Sequence, residues 1–224
     1  MKISTNTISL LKNFSSINGN VLVRAGSTLS TISPQKNILA TAAVTEQFPV
    51  SFAIYDLSQF LGAISLFDDP DFEFSEKYVT ISSGKRSVRY WFAEPSMIVA
   101  APEKKLVLPT AEVEFEATAA NISEVLKAAS VLQAPEIAVV SDGTTNIQLV
   151  ATNVKNDTAN EYHVDVNESS KDKFRMVFKS ENLKLISGDY KVSVSSKGMG
   201  RFLNEKASLE YFIATETSSK YSAQ

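Results

Sequence analysis

The chain has 224 residues, 22 of them basic and 25 acidic, with one histidine, no cysteine and a formal net charge of −3. A hydrophobic content of 44% supplies a sizeable core. The missing cysteines exclude a disulfide scaffold, a thiol nucleophile and any cysteine-ligated metal, and a lone histidine excludes a multi-histidine centre. So small a negative charge gives no global attraction to nucleic acid or anionic lipid, and any DNA contact has to come from a local patch.

Residues 1–6 lack the apolar core of a signal peptide, and the apolar stretch 51–67 is broken by Asp56, Ser58 and Gln59. A soluble cytoplasmic protein with no membrane partner is expected. Ile8, Leu10, Leu11, Phe14 and Ile17 recur at helical spacing over 4–17, with Ser4 or Asn6 as cap and Asn18-Gly19 as stop. Strand-like runs follow at 21–24, 28–33, 38–44 and 49–55. Asp56 then caps a second helix carrying Leu57, Phe60, Leu61, Ile64 and Leu66, which stops at Asp68-Asp69-Pro70. Runs at 72–74, 78–82 and 87–92 read as strands, the last two joined by a tight turn at Ser83-Gly84-Lys85.

Between Pro95 and Pro109 the chain becomes short-ranged, charged and proline-bearing, which favours an extended connector over a helix. The expected division is a first domain over 1–99, a connector over 100–108 and a second domain over 109–224. The second half then repeats the plan of the first. A strand at 113–117 leads to a helix over 118–132, in which Leu126-Lys127 stands where Leu11-Lys12 stood. Strands follow at 136–141, 146–152, 162–167 and 173–178. A short helix is expected after Ser180 with Leu183, Leu185 and Ile186, and a hairpin of 190–195 and 207–215 around a turn at Gly198–Gly200 closes the repeat.

No catalytic constellation survives inspection. His163 lies in an alternating strand with no Gly-x-Ser-x-Gly elsewhere, so it reads as a polar strand residue. Ser82-Ser83-Gly84-Lys85-Arg86-Ser87 lacks the glycine and hydroxyl positions of a phosphate loop and joins two strands. Gly198-Met199-Gly200 lacks the third glycine and following helix of a dinucleotide fingerprint. Asp68, Asp69, Asp71, Glu73 and Glu76 show no calcium-loop spacing. Neither an enzyme, a cofactor nor a bound metal is expected.

The segments Leu10-Leu11-Lys12-Asn13-Phe14 and Ala53-Ile54-Tyr55-Asp56-Leu57-Ser58-Gln59-Phe60-Leu61-Gly62-Ala63-Ile64-Ser65-Leu66 carry a resemblance, together with Pro95-Ser96-Met97-Ile98-Val99-Ala100-Ala101-Pro102 and Gly188-Asp189-Tyr190-Lys191. In order and spacing, over nearly the whole chain, the sequence resembles the sliding clamps of T-even-type tailed bacteriophages, the processivity factors of phage DNA polymerases. The resemblance implies an α+β fold: two similar DNA-clamp domains, each with two helices packed on antiparallel sheets. It further implies assembly into a homotrimeric ring around duplex DNA, with helices lining the hole. The partners it implies are the DNA polymerase, an ATP-dependent clamp loader that holds the ATP site, and late-transcription factors, all in the host cytoplasm.

Under that resemblance Lys2, Lys12, Lys127, Lys179 and Lys184 are the candidates to face DNA, led by Lys12 and Lys127 at matching places on the first helix of each half. Val99, Leu106, Val107 and Leu108 would border a groove for a short hydrophobic peptide, with Tyr211 and Ile213 as its other wall. Arg89, Tyr90 and Trp91 against Tyr162 and Val164 would form the subunit joint. The competing readings are a trimeric β-rich virion or structural protein that never touches DNA, and an enzyme using Asp68 and Asp69 as metal ligands.

Overall fold

The computed structural model describes residues 1–223, which form three α-helices and sixteen strands. They divide into two compact units, Met1–Lys105 with Ala207–Leu209, and Leu106–Lys206 with the chain from Glu210 onward.

The first unit opens with helix α1, Thr5–Ile17. Ser4 caps it: its hydroxyl accepts the Thr7 amide at 3.2 Å. The apolar side chains Leu10, Leu11, Phe14 and Ile17 are buried along one stripe, as their 3.6-residue spacing requires. Strand β1 (Val21–Val23) leads to β2 (Gly26–Ile32), β3 (Ile38–Phe48) and β4 (Phe52–Ile54). β1 pairs with β4 and β2 with β3, all antiparallel. Helix α2, Leu57–Ile64, begins where Asp56 accepts the Gln59 amide at 2.8 Å. It is followed by a three-stranded meander of β5 (Asp71–Phe74), β6 (Tyr78–Ser83) and β7 (Arg86–Trp91). Gly84, at φ +61°, makes the tight turn between β6 and β7 that an L side chain resists. Phe52 stacks on Phe92 at 4.9 Å between centroids and meets Phe48 and Phe74 at 5.9 and 5.2 Å, so β3, β4 and β5 share one aromatic core.

The second unit begins with β8 (Val113–Ala117) and helix α3, Ala119–Leu132. A reciprocal capping box between Thr118 and Asn121 starts α3, and Gln133 in the left-handed region, φ 51°, ends it. The strands that follow are β9 (Glu136–Asp142), β10 (Asn146–Thr152), β11 (Tyr162–Ser169), β12 (Lys173–Lys179), β13 (Tyr190–Ser195), β14 (Met199–Asn204), β15 (Leu209–Ala214) and β16 (Lys220–Ser222). One sheet runs β11-β10-β9-β12-β16, and another contains β15-β14-β13-β8. Ile122, Val125 and Ala129 of α3 are buried on the unit's core, where Ile137, Val139, Leu149 and Phe178 supply the apolar side chains of the five-stranded sheet.

Two expected elements differ. The helix after Ser180 is only a single 3₁₀ turn, Ser180–Asn182, and the chain then runs irregularly to Tyr190. Two buried phenols hold that segment open: Tyr190 donates to the Ile186 carbonyl at 2.6 Å, and the Tyr211 oxygen accepts the Ile186 amide at 3.3 Å. Burial pushes the Tyr190 hydroxyl up to about 12, so it remains a neutral donor. With both backbone groups of Ile186 taken by side chains, the i→i−4 ladder of a helix cannot pass through it. The second difference is that 190–195 and 209–214 do not form the expected hairpin: β14 lies between them and pairs with β13, and Gly200 is no turn residue but lies inside β14, where the Phe178 ring occupies the space beside it.

Candidate functional surfaces

Lys12 is exposed on α1, in line with Thr5, Ser9 and Ser16. The hydroxyls of Ser9, Ser15 and Ser16 donate back to the carbonyls of Thr5, Lys12 and Asn13 at 2.6–2.9 Å. That leaves Lys12 as the basic residue of the helix. Lys127 is exposed on α3 beside Ser123, Glu124 and Ser130. α2 exposes Ser58, Gln59 and Gly62 and bears no charge at all. α1 and α2 therefore present small neutral surfaces, with Lys12 on α1, whereas α3 sets Lys127 beside the acidic Glu124 and exposes Val131 and Leu132 at its end.

The other three lysines differ. Lys2 is held by the Asp69 carbonyl and lies 3.1 Å from the Asp69 carboxylate and 3.4 Å from that of Asp71. The Asp69 hydrogen bond, with Asp71 adding to it, raises its pKa. Lys2 stays exposed and charged, in an acidic surrounding that offsets part of its attraction to phosphate. Lys179 and Lys184 are half-buried and flank the 3₁₀ turn that replaced the expected helix.

The connector is pinned at its start. Asn18 donates to the Val99 carbonyl at 3.2 Å, and the Val99 amide donates to Asn20 at 3.1 Å. Arg24 donates to the Ala101 carbonyl at 2.9 Å and pairs with Glu103 at 3.5 Å. Val99 and Val107 are exposed, Val107 by 74%, and Leu106 and Leu108 are half-buried. Tyr211 and Ile213 are both fully buried and cannot wall a surface groove. The correction has a simple cause: β15 is an interior strand whose residues Leu209 to Ile213 are all buried, and the alternation expected of a half-exposed strand is absent.

Both strands named for a joint are sheet edges. β7 ends the order β5-β6-β7, and β11 ends the order β11-β10-β9-β12-β16. On β7, Tyr90 turns toward α2: its ring meets Phe60 at 5.0 Å, and its hydroxyl lies 3.1 Å from the Gln59 amide oxygen and from the Asp56 carbonyl. Burial, then the nearby Asp56 charge, raises the Tyr90 pKa. Arg89 and Trp91 lie on the opposite face. The Arg89 guanidinium sits 4.4 Å over the Tyr78 ring, and Trp91 is 60% exposed. β11 has the same construction. The Tyr162 hydroxyl donates to Glu124 of α3 at 2.6 Å, a bond that raises its pKa, and Val164 is buried on the same face. These tyrosine-to-helix ties could not be read from spacing, because each joins residues more than thirty positions apart.

Among the described residues, no group of three or more His, Asp or Glu side chains could hold a metal, and no helix is long and apolar enough to cross a membrane.

Residues 114–217 match the family model described as the gp45 sliding clamp, C terminal. Over full length the chain is similar to the sliding clamp of Vibrio phage KVP40, 37% identical across 96% of this chain and 99% of that protein. It is also similar to the sliding clamp of Enterobacteria phage T4, 30% identical across 99% of each. Among solved structures, its fold is similar to an A. fulgidus PCNA bound to the C-terminal region of FEN-1, with TM-score 0.70, 11% identity, and 95% and 96% of the two chains covered. The DNA polymerase III subunit beta of Borrelia burgdorferi gives TM-score 0.70 at 8% identity, over 97% of this chain and 64% of that one.

Proposed function

The chain belongs to the sliding clamp family of T4-like bacteriophages, non-enzymatic processivity factors of phage DNA replication, and we propose that three copies close into a ring around duplex DNA and tether the replicative polymerase. Membership removes the virion and metalloenzyme readings. The observation that carries the ring is the pair of open sheet edges, one in each unit of the chain. Two different edges on one subunit make a heterologous contact, which either closes a ring or grows a filament, and closure leaves neither of these two edges unpaired.

In this reading the domains are 1–99 and 109–224, joined by the connector 100–108. Arg89, Tyr90 and Trp91 of one copy meet Tyr162 and Val164 of the next. Lys2, Lys12, Lys127, Lys179 and Lys184 face the DNA, led by Lys12 and Lys127. Val99, Leu106, Val107 and Leu108 receive a hydrophobic peptide of the polymerase and, in turn, of late-transcription factors. An ATP-driven loader opens the ring in the host cytoplasm.

The mechanism follows from topology. A closed ring cannot leave its DNA except over an end, so tight contact is unnecessary. Helix faces on which Lys12 and Lys127 are the basic residues attract phosphate weakly and without sequence preference, which permits sliding. A polymerase that lets go of the primer end remains tethered at high effective concentration and rebinds before it diffuses away.

Light scattering over a dilution series tests the assembly. A mass near three times 24.5 kDa is expected, followed by longer products per binding event on primed circular DNA. A monomer at every concentration removes the ring.

A further inference from the structure

An antiparallel ladder bonds through alternate residues, so a few fixed bonds determine which backbone groups point out of a sheet. In the C-terminal sheet, Glu216 donates to the Val177 carbonyl at 2.7 Å and the Val177 amide donates to Ser219 at 2.9 Å, so Val177 faces away from β9. Met176 and Phe178 must then bond β9 at Val139 and Ile137. Ala138 and Val140 consequently bond β10 at Val150 and Gln148, and Leu149 and Ala151 bond β11 at Val164 and Tyr162. Glu161, His163 and Asp165 are left pointing outward. The Asp165 carbonyl agrees, since it accepts the Asn121 side chain of α3 at 3.2 Å. Just beyond, Asn167 turns to φ 61° and its amide binds the Asp165 carboxylate at 2.6 Å, which ends the usable edge.

The same reasoning applies to β7. Ser75 donates to the Tyr78 carbonyl and Phe92 to the Lys77 carbonyl, each at 2.9 Å. Val88 and Tyr90 therefore bond β6, and Ser87, Arg89 and Trp91 point outward.

Resting on the ring reading above, we infer that β7 of one copy pairs with β11 of the next in a single register: Arg89 opposite His163, Trp91 opposite Glu161 and Ser87 opposite Asp165. Three outward residues meet three, and the Asp165 carbonyl that Asn121 shares falls at the end of the ladder, opposite Ser87. A two-residue slip one way sets Ser87 against Asn167, where the strand has turned, and centres Arg89 on Asp165, whose carbonyl already holds Asn121. A slip the other way sets Trp91 against Ala159, whose amide is bound into its own loop at Asn156. A one-residue slip would put α2 and α3 on opposite sides of the joined sheet.

The inferred register also matches side chains. On the helix-covered face, Tyr90 meets Tyr162 and Val88 meets Val164, aromatic to aromatic and β-branched to β-branched. On the other face, Arg89 has the carboxylates of Glu161 and Asp165 as its two diagonal neighbours. The Asn121 plug and the turn at Asn167 thus act as a stop that sets the register.

The chain contains no cysteine, so introduced thiols report without background. Directly opposed residues of a bonded pair have Cα atoms about 5.5 Å apart, inside the roughly 4.4–6.8 Å span of a disulfide, whereas diagonal neighbours stand about 7–8 Å apart. Three full-length double variants are oxidised and run on a denaturing, non-reducing gel: Arg89→Cys/His163→Cys, Arg89→Cys/Asp165→Cys and Arg89→Cys/Glu161→Cys. The first is expected to give covalent two- and three-chain species at least 10-fold above either slipped pair. A stronger ladder from a slipped pair overturns the register and leaves the joint standing. If no pair cross-links while the parent chain has a trimer's mass, the joint lies on other strands and both readings of it fall. A parent chain that is monomeric at every concentration fells the ring itself. Because removing Arg89 weakens the very contact probed, Val88→Cys/Val164→Cys, which leaves Arg89 and His163 in place, is run beside Tyr90→Cys/Val164→Cys. The former is expected to cross-link, and preference for the latter overturns the register.

Discussion

The Glu46 carboxylate is held 2.6 Å from the buried Thr7 hydroxyl, and its second oxygen is 2.5 Å from the Ser4 amide, so a side chain of β3 closes the first turn of α1. Two donors at a helix N-terminus, with the helix dipole behind them, favour the ionised form.

Glu46→Gln should therefore cost more than its size indicates. Burial of Glu46 opposes ionisation, but the bonds from Thr7 and Ser4 outweigh it and hold the carboxyl below its ordinary value. A depressed folded-state pKa contributes stability that is complete above the unfolded value and is lost as pH falls through the folded one. Loss of charge-assisted bonds at a buried site costs about 1.5–3 kcal/mol. The expected outcome is a lower urea midpoint for Glu46→Gln at pH 7 and a difference from the parent that shrinks below pH 4, in unfolding curves taken at both pH values.

Gly200→Ala is a local test of the second core. A Cβ at position 200 would stand 2.6 Å from one atom of the Phe178 ring and 2.9 Å from another. Phe178 is itself fixed edge-on to Phe202 at 5.5 Å and cannot retreat freely. Overpacking of this kind costs about 1–3 kcal/mol. Thermal unfolding should show a lowered midpoint, and adding Phe178→Leu should recover part of the loss. A variant as stable as the parent would mean that the ring yields.

Gly200 also shows where sequence pattern stops informing. The strands Val113–Ala117, Asn146–Thr152 and Tyr190–Ser195 were legible at both ends because turn residues or caps flank a β-rich run. The glycine at 200 looks like the turn residue at 198, but Gly198 alone takes a positive φ, 98°, and Gly200 lies against the distant Phe178 ring. Leu183, Leu185 and Ile186 have a helix-compatible spacing, but Tyr190 and Tyr211 take the backbone that a helix needs. Lys220–Ser222 joins β12 through three residues with no apolar alternation to announce them. Of the candidate surfaces, Lys12 and Lys127 were legible as repeated positions on two helices. The burial of Tyr211 and Ile213 was not, because an exposed edge strand and an interior strand share the same β-rich composition.

Arg24→Ala should loosen the connector with little effect on the fold. Arg24 anchors the chain at Ala101 and Glu103, and the exposed Lys104 and Lys105 follow at once. Removing a few partly exposed polar interactions costs about 1 kcal/mol or less globally, whereas local opening of the segment becomes easier. Brief trypsin digestion should cut after Lys104 or Lys105 several-fold faster in the variant, with the urea midpoint nearly unchanged. Equal cleavage rates would show that Asn18 and Asn20, acting at Val99, suffice to hold it.

Lys12→Glu combined with Lys127→Glu separates attraction from topology. Both lysines are exposed on helices whose other outward groups are neutral or, at Glu124, acidic, so reversal turns a weakly attractive surface repulsive. Removing one lysine–phosphate interaction makes the fall of log affinity with log salt shallower by about 0.9, and the encounter with DNA slows accordingly. Once closed on a circle, however, the ring cannot leave without opening, whatever its lining charge. The expected result is loader-dependent assembly onto nicked circular DNA slowed several-fold at moderate salt and less affected at high salt, with the same oligomeric mass by light scattering and the same lifetime on the circle. Unchanged loading would show that these lysines face away from DNA. A shortened lifetime on the circle would mean instead that attraction to the lining helps to hold the ring on DNA and that topology alone does not.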